Sequence, residues 1–266
     1  DSWRTWHVSS VDNPLVSPDF VSDMAVRYGE ESNAFSVRVL GDFPKDDGES
    51  LIQPSLIEAA IARDVEGVQT APLVYGVDVA RHGTDKSALV KRKGNAVVGI
   101  KTWRQLDLMQ LVGAIVHEVE QEEDTVEEIL VDAIGLGAGV ADRLSELGHP
   151  VNSVNVAESS ALNPTVLRLR DELWMSARSF LEAKDCVLPD NEVLAKELVA
   201  PRYSFTSSGK LKVESKDEMK RRGVASPDVA DAFRLTFAGT AGLVTRGGMS
   251  RRWQQPIDYP SSAWIV

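Results

Sequence analysis

The stretch that most constrains this 266-residue chain is Leu73-Val74-Tyr75-Gly76-Val77-Asp78, an apolar run that ends in a carboxylate and gives way to small, polar and Gly-bearing residues. Such a run reads as a buried strand delivering Asp78 to its end. Taken alone, Asp78 is better read as a turn residue, since Asp before a Gly-Thr loop is ordinary turn chemistry. A second run, Ile129-Leu130-Val131-Asp132, repeats the arrangement and leads into Ala133-Ile134-Gly135-Leu136-Gly137-Ala138-Gly139. On neighbouring parallel strands the two acids would share one sheet edge. Like charges that close raise each other's pKa unless a cation sits between them, and a hard divalent metal is the natural resolution.

A third acidic site lies in Ser226-Pro227-Asp228-Val229-Ala230-Asp231-Ala232-Phe233. Ser-Pro sets a helix start, and Asp228 and Asp231, three residues apart, share one face. Helix N-termini welcome acids, so Asp228 alone can serve as a cap. Asp231 lies one turn in, among apolar residues, and the two together read as metal ligands. A nicotinamide site is disfavoured, because Gly135, Gly137 and Gly139 depart from the Gly-x-Gly-x-x-Gly spacing and follow the fourth strand, not the first. No phosphate loop of the Gly-x-x-x-x-Gly-Lys-Ser/Thr type occurs, so no ATPase engine is encoded in these residues.

Residues 1–70 read as an accessory segment: a turn cluster at 10–14, a short helix over 19–28, an alternating strand over 35–41 and a helix over 52–63. From Leu73 the pattern becomes α/β. Strands at 73–78, 87–91 and 96–103 form an antiparallel meander, a helix over 106–119 crosses to the strand 129–132, and a helix over 138–147 leads to a strand over 151–156. Helices over 165–184 and 192–199, a hairpin of 202–205 with 210–214, and a last helix over 227–238 complete the unit. The expected division is thus 1–70 as a linker, 71–240 as an α/β domain and 241–266 as a loose tail.

The net charge of -11 counts at first against a nucleic-acid partner. The excess is uneven: residues 1–70 carry 13 acidic and 5 basic side chains. Seven further acids fall between Glu118 and Glu128, read as one solvated helix end, and without them residues 71–239 are slightly positive. Cys186 is the single cysteine, so internal disulfides and Cys-rich zinc sites are excluded. No apolar run approaches the roughly 18 residues of a membrane span. The chain does not open on Met, which suggests a piece of something longer. Lys210, Lys212, Lys216, Lys220, Arg221 and Arg222 are its densest basic grouping, a candidate track for a polyanion that the resemblance given below implies to be the DNA backbone, with Lys216 placed near the last acids as a cation for a phosphate or a metal cluster. Asp85 is read as a turn residue and His82 as a loop histidine.

Taken in order, Gly76-Val77-Asp78-Val79-Ala80 with Gly83-Thr84-Asp85-Lys86-Ser87, then Val131-Asp132 with its glycines, then Val213-Glu214-Ser215-Lys216, Lys220-Arg221-Arg222-Gly223 and Ser226-Pro227-Asp228-Val229-Ala230-Asp231-Ala232 resemble the C-terminal nuclease domain of a tailed-bacteriophage terminase large subunit. The resemblance spans residues 73–238, and residues 9–14 and 39–44 resemble the segment that joins such nucleases to their packaging ATPase. It implies an RNase H-like, resolvase-like mixed sheet with flanking helices, and an endonuclease that cuts concatemeric double-stranded DNA by two-metal hydrolysis with Mg²⁺ or Mn²⁺. Asp78, Asp132 and Asp231 then correspond to the catalytic acids, with Asp228 a further ligand. Implied partners are double-stranded DNA, an ATPase domain of the same polypeptide, the terminase small subunit and the portal protein, with no membrane. The implied location is the host cell cytoplasm during phage assembly. A Holliday-junction resolvase and a non-catalytic docking module of the motor are the alternatives.

Overall fold

The computed structural model describes residues 6–28, 35–42, 50–64, 70–80, 86–160, 166–208 and 210–239. They fall into two compact units, Asp1–Ser50 and Leu51–Val266. In the first, α1 (Pro18–Tyr28) opens on a proline, whose missing N–H costs a helix start nothing. Residues Ser36–Leu40, expected as a strand, form a π-helical turn instead. Phe35 and Val39 are both buried beside Met24, so one-turn spacing, not alternation, decides the conformation.

The boundary between units lies at Ser50, not at 70. Leu51, Ile52, Ile57 and Ala60 are buried in the core of the second unit, and that burial carries α2 (Pro54–Ile61) with it.

The second unit is built on a five-stranded sheet of β1 (Leu73–Asp78), β2 (Ser87–Lys93), β3 (Ala96–Trp103), β4 (Val126–Asp132) and β5 (Val151–Val154). The order is β3-β2-β1-β4-β5: the first three strands form the expected antiparallel meander, and β4 and β5 run parallel to β1. Glu127 and Glu128 lie in β4, not in a helix end. The strand already begins at the buried Val126, and Glu128 accepts a hydrogen bond from Asn152 on β5.

Helices cover both sheet faces, so β1 is buried throughout its length. On one face, α3 (Leu108–Glu120) and α4 (Leu136–Glu146) lay Leu111, Ile115, Val140 and Leu144 on Tyr75, Val77, Leu89 and Val131. The Asp107–Gln110 capping box starts α3. The remaining helices are α5 (Leu169–Glu182), α6 (Glu192–Val199), α7 (Lys216–Arg221) and α8 (Asp228–Leu235). Trp174 and Phe180 of α5 and Phe233 of α8 form the heart of the other face, with Phe180 and Phe233 edge to face at 5.7 Å. The hairpin of β6 (Tyr203–Phe205) and β7 (Leu211–Val213) forms its own small sheet. Among the described residues no helix is long and apolar enough to cross a membrane.

The last helix lies unusually close to the central strand. A Cβ on Gly76 would sit 2.0 Å from the Ala232 carbonyl oxygen, so only glycine permits the approach. At the far end of α8, Arg92 of β2 donates to Thr236 Oγ1 (2.8 Å) and to the Thr236 carbonyl (2.6 Å), fastening the helix C-terminus to the sheet. Gly76→Ala therefore destabilises the fold by about 1–3 kcal/mol in urea unfolding, the usual cost of overpacking. Gly113→Ala, in α3 where nothing lies within 4 Å of the added carbon, instead gains about 0.5–1 kcal/mol. Equal stability of wild type and Gly76→Ala would contradict the packing described.

Candidate metal centre

The register of β1 on β4 pairs Val77 with Val131, so Asp78 and Asp132 leave adjacent parallel strands at one edge of the sheet. Gly137 is what lets α4 begin directly behind Asp132, because a Cβ there would lie 1.8 Å from the Asp132 carbonyl oxygen. The glycines that invite a nucleotide reading thus serve a tight strand-to-helix turn, whose Ile134 N–H donates to Asp132 Oδ1 at 3.0 Å. The close approach of α8 brings Asp231, fully buried, and Asp228, 4% exposed, to the same edge as Asp78, 5% exposed.

Lys216 stands at the meeting point. Its ammonium lies 2.9 Å from Asp78 Oδ2, 3.0 Å from Asp231 Oδ2 and 3.4 Å from Asp228 Oδ1. One local contact and two long-range ones set where this lysine sits. Ser215 and Glu218 form a capping box that starts α7 with Lys216 as its first residue. Three residues upstream, Asp171 accepts the Val213 N–H at 2.9 Å and Arg170 donates to the Val213 carbonyl at 3.2 Å, so both polar groups of that residue are held by adjacent side chains of α5.

Arg234, one turn after Asp231 and equally buried, donates to Asp231 Oδ1 at 2.5 Å. Burial pushes the Asp78 carboxyl up to about 7; Lys216 opposes that rise, and Asp231 and Asp228 add to it. Asp231 goes the other way. Burial disfavours its charge, but Arg234, Lys216 and Arg170 outweigh that and hold it well below the usual carboxylate range. Burial raises Asp132, with the Ile134 amide and Arg234 working against it. Burial alone would depress Lys216, yet Asp231, Asp78 and Asp228 raise it above an ordinary lysine, so it stays charged.

Among the described residues no three acids, histidines or cysteines are already gathered as a metal cage. The donor set nevertheless suits a hard divalent ion: carboxylate oxygens only, converging on a resident cation, with the buried Asp231 Oδ2 making an ion pair to Lys216 but no hydrogen bond. The site therefore brings together Asp78, Asp228, Asp231 and Lys216, with Asp132 on the neighbouring strand.

Within the expected basic track, Lys212 pairs with Glu218 at 2.6 Å and Arg222 with Glu214 at 2.7 Å, Lys220 and Arg221 are exposed on α7, and Lys210 is half-buried at the hairpin turn. Asp85 and His82 lie outside the described residues. Sequence reasoning did not single out Arg234, Arg170, Asp171 or Glu197. Arg234 carried a signal, an opposite charge three residues from Asp231 on one helix face. The others act on backbone groups 32 to 43 residues away, Glu197 on the first turn of α8, and no local pattern points to those contacts.

No family model matches the chain. A probable terminase large subunit of Enterobacteria phage P7 is 26% identical over 248 residues, covering 85% of this chain and 49% of the relative. The chain thus spans about half the length of that curated relative. Among solved structures, the nuclease domain of the large terminase subunit of bacterial virus Sf6, a lysine-to-alanine variant with manganese and beta-thujaplicinol, superposes with a TM-score of 0.59 at 19% identity, covering 70% of this chain and 97% of that one. The large terminase nuclease of thermophilic phage G20c with bound magnesium gives 0.56 at 17% identity, with 72% and 98% covered. The resemblance read from the sequence is borne out: the chain is similar to a phage terminase large subunit, and its fold is the RNase H-like fold of terminase nuclease domains.

Glu218, which sets the start of α7, is held at about 2 by the Lys212 ammonium and by the Ser215 amide and hydroxyl, against an ordinary 4.5. A depressed carboxylate stabilises the fold above its unfolded pKa and loses that contribution as pH falls through its folded pKa. Glu218→Gln is therefore less stable than wild type above about pH 4.5, and the gap closes between about pH 4.5 and 2. Thermal unfolding across that range checks it; a gap that persists unchanged at pH 2 would contradict the assigned contacts.

Proposed function

We propose that the unit from Leu51 onward is a metal-dependent endonuclease acting on double-stranded DNA, the nuclease part of a phage terminase large subunit that cuts concatemeric DNA during packaging. The single observation that carries this reading is the convergence of three buried aspartates on one ammonium at 2.9 to 3.4 Å, at the edge where β1 and β4 end. Relatives of the same fold hold manganese and magnesium, which supports a divalent ion here. Asp78, Asp132, Asp228 and Asp231 would hold a pair of Mg²⁺ or Mn²⁺ ions, which would supply an activated water and stabilisation of the leaving oxygen.

The chain's own residues then divide the work. Asp78, at the end of the central strand, would be the main ligand, with Asp132, Asp228 and Asp231 as further ligands. Arg234 occupies Oδ1 of Asp231, so that carboxylate offers Oδ2 to the site. Lys216, displaced from the carboxylates it neutralises, presents its charge to the scissile phosphate. Lys210, Lys212, Lys220, Arg221 and Arg222 form the track for the DNA backbone. An ATPase domain of the same polypeptide, the small subunit and the portal protein are the proposed partners, and the host cytoplasm the place of action.

Plasmid cleavage by the chain in Mn²⁺ tests the reading. Wild type cuts, Asp78→Asn and Asp132→Asn fall to background while keeping native circular dichroism, and EDTA abolishes cutting. Selective cleavage of four-way junctions over duplex would favour a resolvase, and no cleavage by wild type would favour a docking module.

A further inference from the structure

The first turn of α8, which carries Asp228 and Asp231, has no cap of its own. Pro227 occupies the N-cap position without a side-chain hydrogen bond, and a buried helix start must find acceptors for its N–H groups elsewhere. Glu197, in α6, supplies them. Its Oε2 accepts the Val229 N–H at 2.6 Å and the Ala230 N–H at 3.1 Å, and a carboxylate at that helix end also matches the sign of the dipole. Its Oε1 pairs with Lys86 Nζ at 3.0 Å. The N–H of Lys86 in turn donates to Asp228 Oδ2 at 3.3 Å, while Asp228 Oδ1 receives Ser226 Oγ at 2.5 Å. The contacts close into a ring that runs from α6 to the start of α8, through Asp228 to the residue preceding β2, and back.

We infer that Glu197 and Lys86 are positioning residues for the metal centre: they hold the start of α8, and with it Asp228 and Asp231, in register with Asp78. The ring lies at the end of α8 that carries the carboxylates, whereas Arg92 secures the opposite end. Both ring side chains are largely shielded, at 13% and 17% exposure, so the pair is not an incidental surface contact. Partners that orient ligands in this way typically cost ten- to a hundred-fold in metal affinity when removed. The inference rests on the metal-dependent reading above.

The test is Mn²⁺ binding by the full chain, followed by titration calorimetry and by the electron paramagnetic resonance of free Mn²⁺, well below the unfolding temperature. Glu197→Ala weakens binding about tenfold. Glu197→Gln, whose amide oxygen still accepts the two N–H groups, stays within about threefold of wild type, a rescue that a contribution to bulk stability alone does not predict. Lys86→Met opens the ring without touching the helix amides and weakens binding by about threefold, which keeps the test informative if Glu197→Ala does not fold. Wild-type affinity in Lys86→Met and in folded Glu197→Ala, whatever their melting temperatures, would overturn the inference. Asp78→Asn separates the two levels. If it leaves Mn²⁺ binding intact, the metal reading fails and this inference with it; if it removes binding while the ring variants bind normally, only the inference fails.

Discussion

Three aspartates, none more than 5% exposed, share one lysine ammonium, and the rest of the larger unit is arranged to make that contact possible. Desolvation and mutual repulsion would otherwise drive such carboxylates to take up protons. Lys216 supplies the charge from one side and Arg234 from beneath Asp231. Neither cation comes from the strands that deliver Asp78 and Asp132. They arrive from α7 and α8, so the site exists only when hairpin, last helix and sheet are assembled together.

Each structural device serves one member of that group. Gly76 removes the side chain that would push α8 off the central strand, and Gly137 removes the one that would separate α4 from Asp132. Arg92 and Glu197 hold α8 at its two ends, one through terminal carbonyl and hydroxyl groups, the other through first-turn amides. Arg170 and Asp171 grip Val213, and the Ser215–Glu218 box then turns the chain so that Lys216 faces inward. A site of carboxylates and one ammonium suits the chemistry of divalent ions and phosphodiesters, and the proposed nuclease role follows from that match.

Much of this was legible in the sequence. The strand ends at Asp78 and Asp132, the meander, and the helix bearing Asp228 and Asp231 follow from apolar periodicity and from Pro and Gly punctuation. Other features were not. Residues 35–41 alternate like a strand, but the burial of Phe35 and Val39 against Met24 is a tertiary fact that wins over local pattern. The acidic run concealed the start of β4 because Glu127 and Glu128 are poor strand formers whose place is set by Val126 and by pairing with β1 and β5. The unit boundary fell at 50 because Leu51 and Ile52 are claimed by a core that lies far along the chain. Glu197, Arg170 and Asp171 were invisible for the same reason: each acts on a backbone group 32 to 43 residues away.

The central claim is that the group around Lys216 is a metal centre and not a structural ion-pair cluster. A crystal structure of the chain soaked in Mn²⁺, read by anomalous scattering, tests this most directly. The account predicts manganese bound by Asp78, with Asp132 and the α8 aspartates completing the site and Lys216 shifted away from them. Manganese bound elsewhere, with the Lys216 ammonium still in contact with Asp78, Asp228 and Asp231, would contradict it.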